Sequence, residues 1–135
     1  MEFPYLLLPG DRSGTPRPLV PVVYKYRKKE TKPILTLVDS GADYSFVTFR
    51  IALYLGINLA GIEPLSVKGF EGSSMDCYSH ETVIKIREKE MELPVYYGGS
   101  LTSEYPCILG QDVFFDKTKI SFERYKWKFN VDFRK

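Results

Sequence analysis

The sequence predicts a mostly β fold with one or two short helices, and three observations carry that prediction. Aromatic residues make up 15% of the 135-residue chain, with ten Tyr and nine Phe, and aromatics favour strands. Apolar runs are short and are separated at close intervals by Gly, Pro and charged turn residues. Near the C-terminus Trp127, Phe129, Val131 and Phe133 alternate with Lys128, Asn130, Asp132 and Arg134. That strict period of two buries one face of a strand. Many short strands at this spacing fit a closed or sandwiched antiparallel structure. A hydrophobic content of 44% supports a packed core and argues against a disordered chain. The length fits one domain, residues 1–135.

Each element follows from its local pattern. Tyr5 to Leu8 is a short apolar strand, and Pro9 to Pro18 (PGDRSGTPRP), rich in Pro, Gly and charge, is a loop. Leu19 to Tyr26 and Pro33 to Val38 are strands joined by a charged turn around Lys28 to Lys32. Over Thr48 to Leu55 the period changes: Phe49, Ala52, Leu53 and Leu55 line one face of a short helix closed by Gly56. Pro64 to Phe70 and Met75 to Arg87 are strands around a glycine-bearing turn, Gly69 to Ser74. A second hairpin turns at Glu88 to Glu90 and continues through Met91 to Tyr97, where Pro94 predicts an edge or interrupted strand. Gly98 to Tyr105 is a loop, and Pro106 to Leu109 is a short strand stopped by Gly110. Asp112 is placed to cap a single helical turn through Phe115, and Lys119 to Glu123 forms the first arm of the C-terminal hairpin.

Composition narrows the function. The formal net charge is +2, from 19 basic and 17 acidic residues, which favours neither a nucleic-acid binder nor a trap for acidic substrates. The basic run Lys25 to Lys29 (KYRKK) reads as a solvated turn. Cys77 and Cys107 form no CxxC pair, and the single His80 cannot complete a zinc site with them. Free thiols in a reducing compartment fit better than a disulfide, and His80 reads as a surface strand residue. No stretch approaches the ~20 apolar residues that span a bilayer. Met1 to Pro9 is apolar but holds two prolines and lacks the basic start of a signal peptide. A soluble, cytoplasmic protein is the expectation.

The informative segment is Ile34 to Val47, ILTLVDSGADYSFV. An apolar strand runs into Asp39, then Ser40 and Gly41, then Ala42 and Asp43 ahead of a second apolar stretch. By itself this is an ordinary strand-to-turn junction, where Asp, Ser and Gly are all favoured. It also has the parts that carboxylate catalysis needs. The acid sits at the end of a buried strand. Glycine allows a close turn, the hydroxyl can lock the loop to backbone, and apolar flanks let two carboxylates feel each other strongly.

The segment resembles the active-site signature of retropepsin-like aspartic proteases over Leu37 to Val47, and the likeness continues through the helix Phe49 to Gly56. A second family feature is a late apolar pair with Gly, followed by an acidic residue and a short helix. Ile108-Leu109-Gly110-Gln111-Asp112 is similar to it in order and distance. The resemblance covers most of the chain from Pro33 to Phe115. It departs at Ser40, where Thr is commoner in viral members, and at Gln111, where those members carry an Arg that pairs with the acid matching Asp43.

The resemblance implies a closed antiparallel β-barrel of the acid-protease type. It also implies a two-fold homodimer, since the chain has one such Asp and the chemistry needs two. Asp39 is then the catalytic residue, Ser40 grips the partner's loop, and Gly41, Ala42 and Asp43 support the loop. Ile108, Leu109 and Gly110 support it from the neighbouring strand. The hairpin Val67 to Tyr78 is the flap over an extended peptide or protein substrate, with Gly69, Phe70, Gly72 and Met75 as candidate contacts. No cofactor is required. A protease-fold dimerisation or peptide-binding module without turnover is the alternative; a small β-barrel binding protein, monomeric, is a third reading.

Overall fold

The computed structural model describes residues 1–68, 74–99 and 107–134. The first half contains β1 (Glu2–Pro4), β2 (Leu19–Tyr26), β3 (Lys29–Glu30), β4 (Ile34–Val38), β5 (Phe46–Thr48) and the helix α1 (Phe49–Leu55). The second half contains β6 (Leu65–Lys68), β7 (Ser74–Ile86), β8 (Lys89–Gly98), β9 (Cys107–Leu109), β10 (Thr118–Glu123) and β11 (Lys128–Phe133). Short 3-10 turns span Phe115–Lys117 and Arg124–Lys126. No helix of the described residues is long and apolar enough to cross a membrane.

Six strands close a barrel. β2 pairs with β4, β4 with β9, β9 with β5, β5 with β8, β8 with β7, and β7 returns to β2 through Val23↔Lys85 and Tyr24↔Ile84. β3 and β6 attach at the sides, on β2 and β7. The strands form because alternate residues are apolar: Val20, Val22 and Tyr24 of β2 are fully buried, as are Val95 and Tyr97 of β8. The closed, mostly β architecture with one short α-helix agrees with the expectation from sequence. Two of the six seams, β4–β9 and β5–β8, run parallel, the other four antiparallel. A parallel seam needs a long crossover between its strands, and here the chain between Val38 and Cys107, and between Thr48 and Lys89, supplies it.

Outside the barrel β1, β11 and β10 form a three-stranded sheet. Phe3 of β1 stacks on Phe129 of β11 at 5.5 Å and Phe122 of β10 on the other side at 6.2 Å. This pairing sets the first strand at Glu2–Pro4 rather than Tyr5 to Leu8; Leu6 makes only a bridge to Arg17. The period of two holds for Phe129 and Val131, both fully buried, but begins at Lys128. Trp127 has φ 53°, ends the 3-10 turn and is 47% exposed, so it belongs to the turn and not to the buried face.

Pro94 is not on an edge strand. β8 lies between β5 and β7, with Pro94 opposite Glu81. The proline is tolerated because β5 reaches only Tyr96 to Gly98, leaving that side of β8 without a strand partner at position 94. Asp112 does not cap the turn at Phe115–Lys117, whose flanking residue is Phe114 without a side-chain cap bond. Asp112 instead forms a bridge with Tyr44, since the loop around Asp39 claims its backbone.

Helix α1 buries Ile51, Ala52 and Leu55; Phe49 and Leu53, expected on the same face as Ala52, are 39% and 64% exposed. The helix stops at Gly56, with φ 76°. A Cβ added there would meet nothing within 4 Å, so only the left-handed backbone opposes it. Gly56→Ala is expected to cost about 1 kcal/mol in chemical denaturation, with Gly56→Asn closer to wild type.

Two polar pairs sit inside the barrel. The Tyr24 and Thr36 hydroxyls are 2.8 Å apart, and those of Tyr97 and Thr82 2.7 Å apart. Cys107 and Cys77 are buried and free. Burial pushes the Cys107 thiol up to about 11 and the Tyr97 hydroxyl to about 12. A folded value raised above the unfolded one gives stability that is complete below the unfolded thiol value and lost as pH rises through the folded one. Between about pH 8.5 and pH 11 the protein should lose about 3 kcal/mol through Cys107. In Cys107→Ala the decline of the urea midpoint over that range should be shallower; an unchanged slope would show that the thiol is not the linked group.

Candidate active site

β4 carries the chain out of the barrel wall and ends at Val38, which is buried. Asp39 follows, half-buried, and Ser40 and Gly41 are exposed. The turn forms locally. Asp39 Oδ1 accepts a hydrogen bond from the Gly41 N–H at 2.8 Å, and the Asp39 carbonyl accepts one from the Ala42 N–H at 3.2 Å. A Cβ on Gly41 would stand 3.2 Å from Asp39 Oδ1, close enough to press on the carboxylate, which is the local reason for glycine here.

β9 holds this loop from beside it. Val38 and Leu37 pair in parallel with Leu109 and Ile108, and the Asp39 N–H donates to the Leu109 carbonyl at 3.0 Å. The loop then folds across Gly110. A Cβ on Gly110 would lie 2.7 Å from the Ala42 carbonyl oxygen and nearer still to that of Tyr44, so no larger residue fits. The Gly110 N–H donates to Ser45 Oγ at 3.1 Å, and Ser45 is fully buried. Gln111 and Asp112 continue the contact, their N–H groups donating to the carbonyls of Ala42 at 2.8 Å and Asp43 at 2.9 Å. Beneath, the Tyr44 ring packs on Tyr96 at 4.8 Å and on Phe46 at 6.3 Å.

The residues singled out from the sequence thus fall into two groups. Asp39, Ser40, Gly41, Ala42 and Asp43 lie in one loop against Ile108, Leu109 and Gly110. Asp43 is exposed, and among the described residues its side chain has no ion pair. Met75 sits elsewhere: on β7 opposite Val67, with no hydrogen bond or strand pairing to the Asp39 loop. Gly69, Phe70 and Gly72 lie outside the described residues, so the hairpin around them is seen only from Leu65–Lys68 and from Ser74 onward. Two contacts were missed in the sequence. Ser45 is a lone hydroxyl in an apolar stretch, which signals a buried polar partner. The Gln111 side chain, whose Nε2 donates to the Ser40 carbonyl at 2.7 Å, carries no such local mark.

A closed six-strand barrel, with an Asp-Ser-Gly turn strapped to a neighbouring strand that ends in Gly110, is the retropepsin-like fold. Two solved structures share it. The chain is similar to a retropepsin-like aspartic protease from Rickettsia conorii, with a TM-score of 0.60 and 15% identity, covering 98% of this chain and 91% of that one. It is also similar to EIAV protease, solved in complex with the inhibitor HBY-793. There the TM-score is 0.57 and the identity 21%, covering 78% of this chain and 92% of that one. No protein-family model and no curated protein matches the chain.

Proposed function

We propose that this chain is one half of an aspartic endopeptidase, active as a two-fold homodimer with Asp39 of each copy at the axis. The observation that carries the reading is the Asp39 carboxylate itself. It is half-exposed at the mouth of a rigid loop, with one oxygen held by the Gly41 N–H. Ser40 and Gly41 are exposed beside it, where a second copy of the loop would approach. A lone carboxylate cannot both take and give a proton in one step; two that share a proton can. The ionised one takes a proton from a water that attacks the peptide carbonyl. The protonated one donates to the carbonyl oxygen, forming a tetrahedral diol. Collapse breaks the C–N bond as the remaining carboxyl proton reaches the leaving amine, and a diol hydroxyl returns its proton to the dyad, which restores one shared proton.

In this reading residues 1–135 are one protease domain, and no cofactor takes part. The substrate is a peptide or protein segment in extended form, covered by the hairpin of β6 and β7, with Gly69, Phe70, Gly72 and Met75 as candidate contacts. The free, buried thiols of Cys77 and Cys107 suit a reducing compartment such as the cytoplasm. The test is cleavage of an unbiased peptide library from about pH 4 to pH 7, at protein concentrations spanning the monomer–dimer transition. Activity that rises with dimer content supports the reading. A stable dimer that binds peptides without cutting them would replace it with an idle protease-fold module, and a monomer at all concentrations with a simple barrel binding protein.

A further inference from the structure

The bond from Gln111 to Ser40 acts on a particular peptide unit. The Ser40 carbonyl that accepts from Gln111 Nε2 at 2.7 Å and the Gly41 N–H that donates to Asp39 Oδ1 at 2.8 Å belong to the same peptide group. That group is planar, so its oxygen and its N–H point in opposite directions and turn together. Holding the oxygen aims the N–H at the carboxylate. A hydrogen bond at the oxygen also polarises the group and strengthens what its N–H donates. The backbone of Gln111 is fixed independently, its own N–H donating to the Ala42 carbonyl at 2.8 Å. Its side chain therefore starts from an anchored point and closes a bridge across the loop.

We propose that Gln111 is a positioning residue that sets the Asp39 carboxylate through the Ser40–Gly41 peptide. As a statement about catalysis this rests on the protease reading above; as a statement about the loop it does not. The Gln111 amide works as a neutral donor, so what counts is a donated N–H at this point and neither the length nor the charge of the side chain.

Three substitutions separate those properties. Gln111→Met keeps the length and removes the donor. Gln111→Glu keeps the shape and offers only acceptors. Gln111→Lys changes charge but keeps a donor within reach. In the full chain, Met and Glu should lower kcat about tenfold with KM within about twofold, and Lys should recover most of the loss. Melting temperatures should agree across all four proteins. The second readout needs no turnover: the Gly41 amide proton resonance in NMR. It should move upfield in Met and Glu as its bond to Asp39 weakens, and return in Lys. An unmoved Gly41 resonance in Gln111→Met overturns the proposal, whether or not kcat falls, because the effect would then bypass the peptide. A moved resonance with unchanged kcat overturns the positioning role. Failure of the wild type to cleave any peptide would instead sink the protease reading, with Gly41 still deciding what Gln111 does to the loop.

Discussion

Asp39→Asn is expected to remove cleavage, lowering the rate by roughly 10³-fold or more, while leaving the fold intact. The side chain is isosteric, and its Oδ1 can still accept the Gly41 N–H that the carboxylate accepts at 2.8 Å. The Asp39 N–H bond to the Leu109 carbonyl is a main-chain contact and does not depend on the substitution. Stability should thus hold, and in the proposed dimer it should rise at a pH where both carboxylates would be ionised, because like charges repel and two amides do not. In the proposed dimer, what is lost is the proton exchange that one acid and one base perform. Mixing sharpens the test. Wild type incubated with an excess of Asp39→Asn should lose activity as subunits exchange, because a hybrid holds a single carboxylate; an equal random mixture retains about one quarter wild-type dimer. Activity that stays proportional to wild-type chain at all ratios would mean that each copy works alone, and an active Asp39→Asn would remove Asp39 from the chemistry altogether.

Gly110→Ala should be the most damaging single methyl in the described part of the chain. The new Cβ would fall 2.7 Å from the Ala42 carbonyl oxygen and closer to that of Tyr44, both backbone atoms. A side chain could rotate aside, but these carbonyls cannot. Ala42 is held by the Gln111 N–H, and Tyr44 is followed by Ser45, whose hydroxyl takes the Gly110 N–H. Relief would require β9 and the Asp39 loop to separate, breaking those bonds together. A loss of about 3 kcal/mol or more is expected, with a melting temperature lower by about 10 °C or a chain that does not fold. Gly99→Ala serves as the control, since a Cβ there meets nothing within 4 Å and the change should cost less than about 1 kcal/mol. Equal effects at the two positions would show that the loop and β9 are not packed as described.

Much of this molecule was legible before its fold was known, because the relevant physics is local. β2 at Leu19–Tyr26 could be read to the residue from its apolar run bounded by loop and turn, and α1 from a change of period closed by a glycine in the left-handed region. The Asp-Ser-Gly turn was legible for the same reason: its own bond, from the Gly41 N–H to Asp39 Oδ1, spans two residues. What sequence patterns leave open is which strands meet and in which direction. Pro94 predicted an edge or interrupted strand, yet β8 lies between two strands and runs through it, because β5 leaves that side free at position 94. Trp127 kept the alternation and still fell in a turn. The bonds that make the Asp39 loop rigid are longer-ranged still. Gly110 reaches Ser45 across 65 residues, and Gln111 reaches Ser40 across 71. Apart from β1, β3 and β5, the sequence alone determined the strand segments, the short helix and the Asp-bearing turn, since backbone propensity and side-chain period act between near neighbours. Tertiary structure decided the two parallel seams, the barrel closure between β2 and β7, and the clamp on Asp39, since these depend on loop closure and packing among residues that only the complete fold brings together.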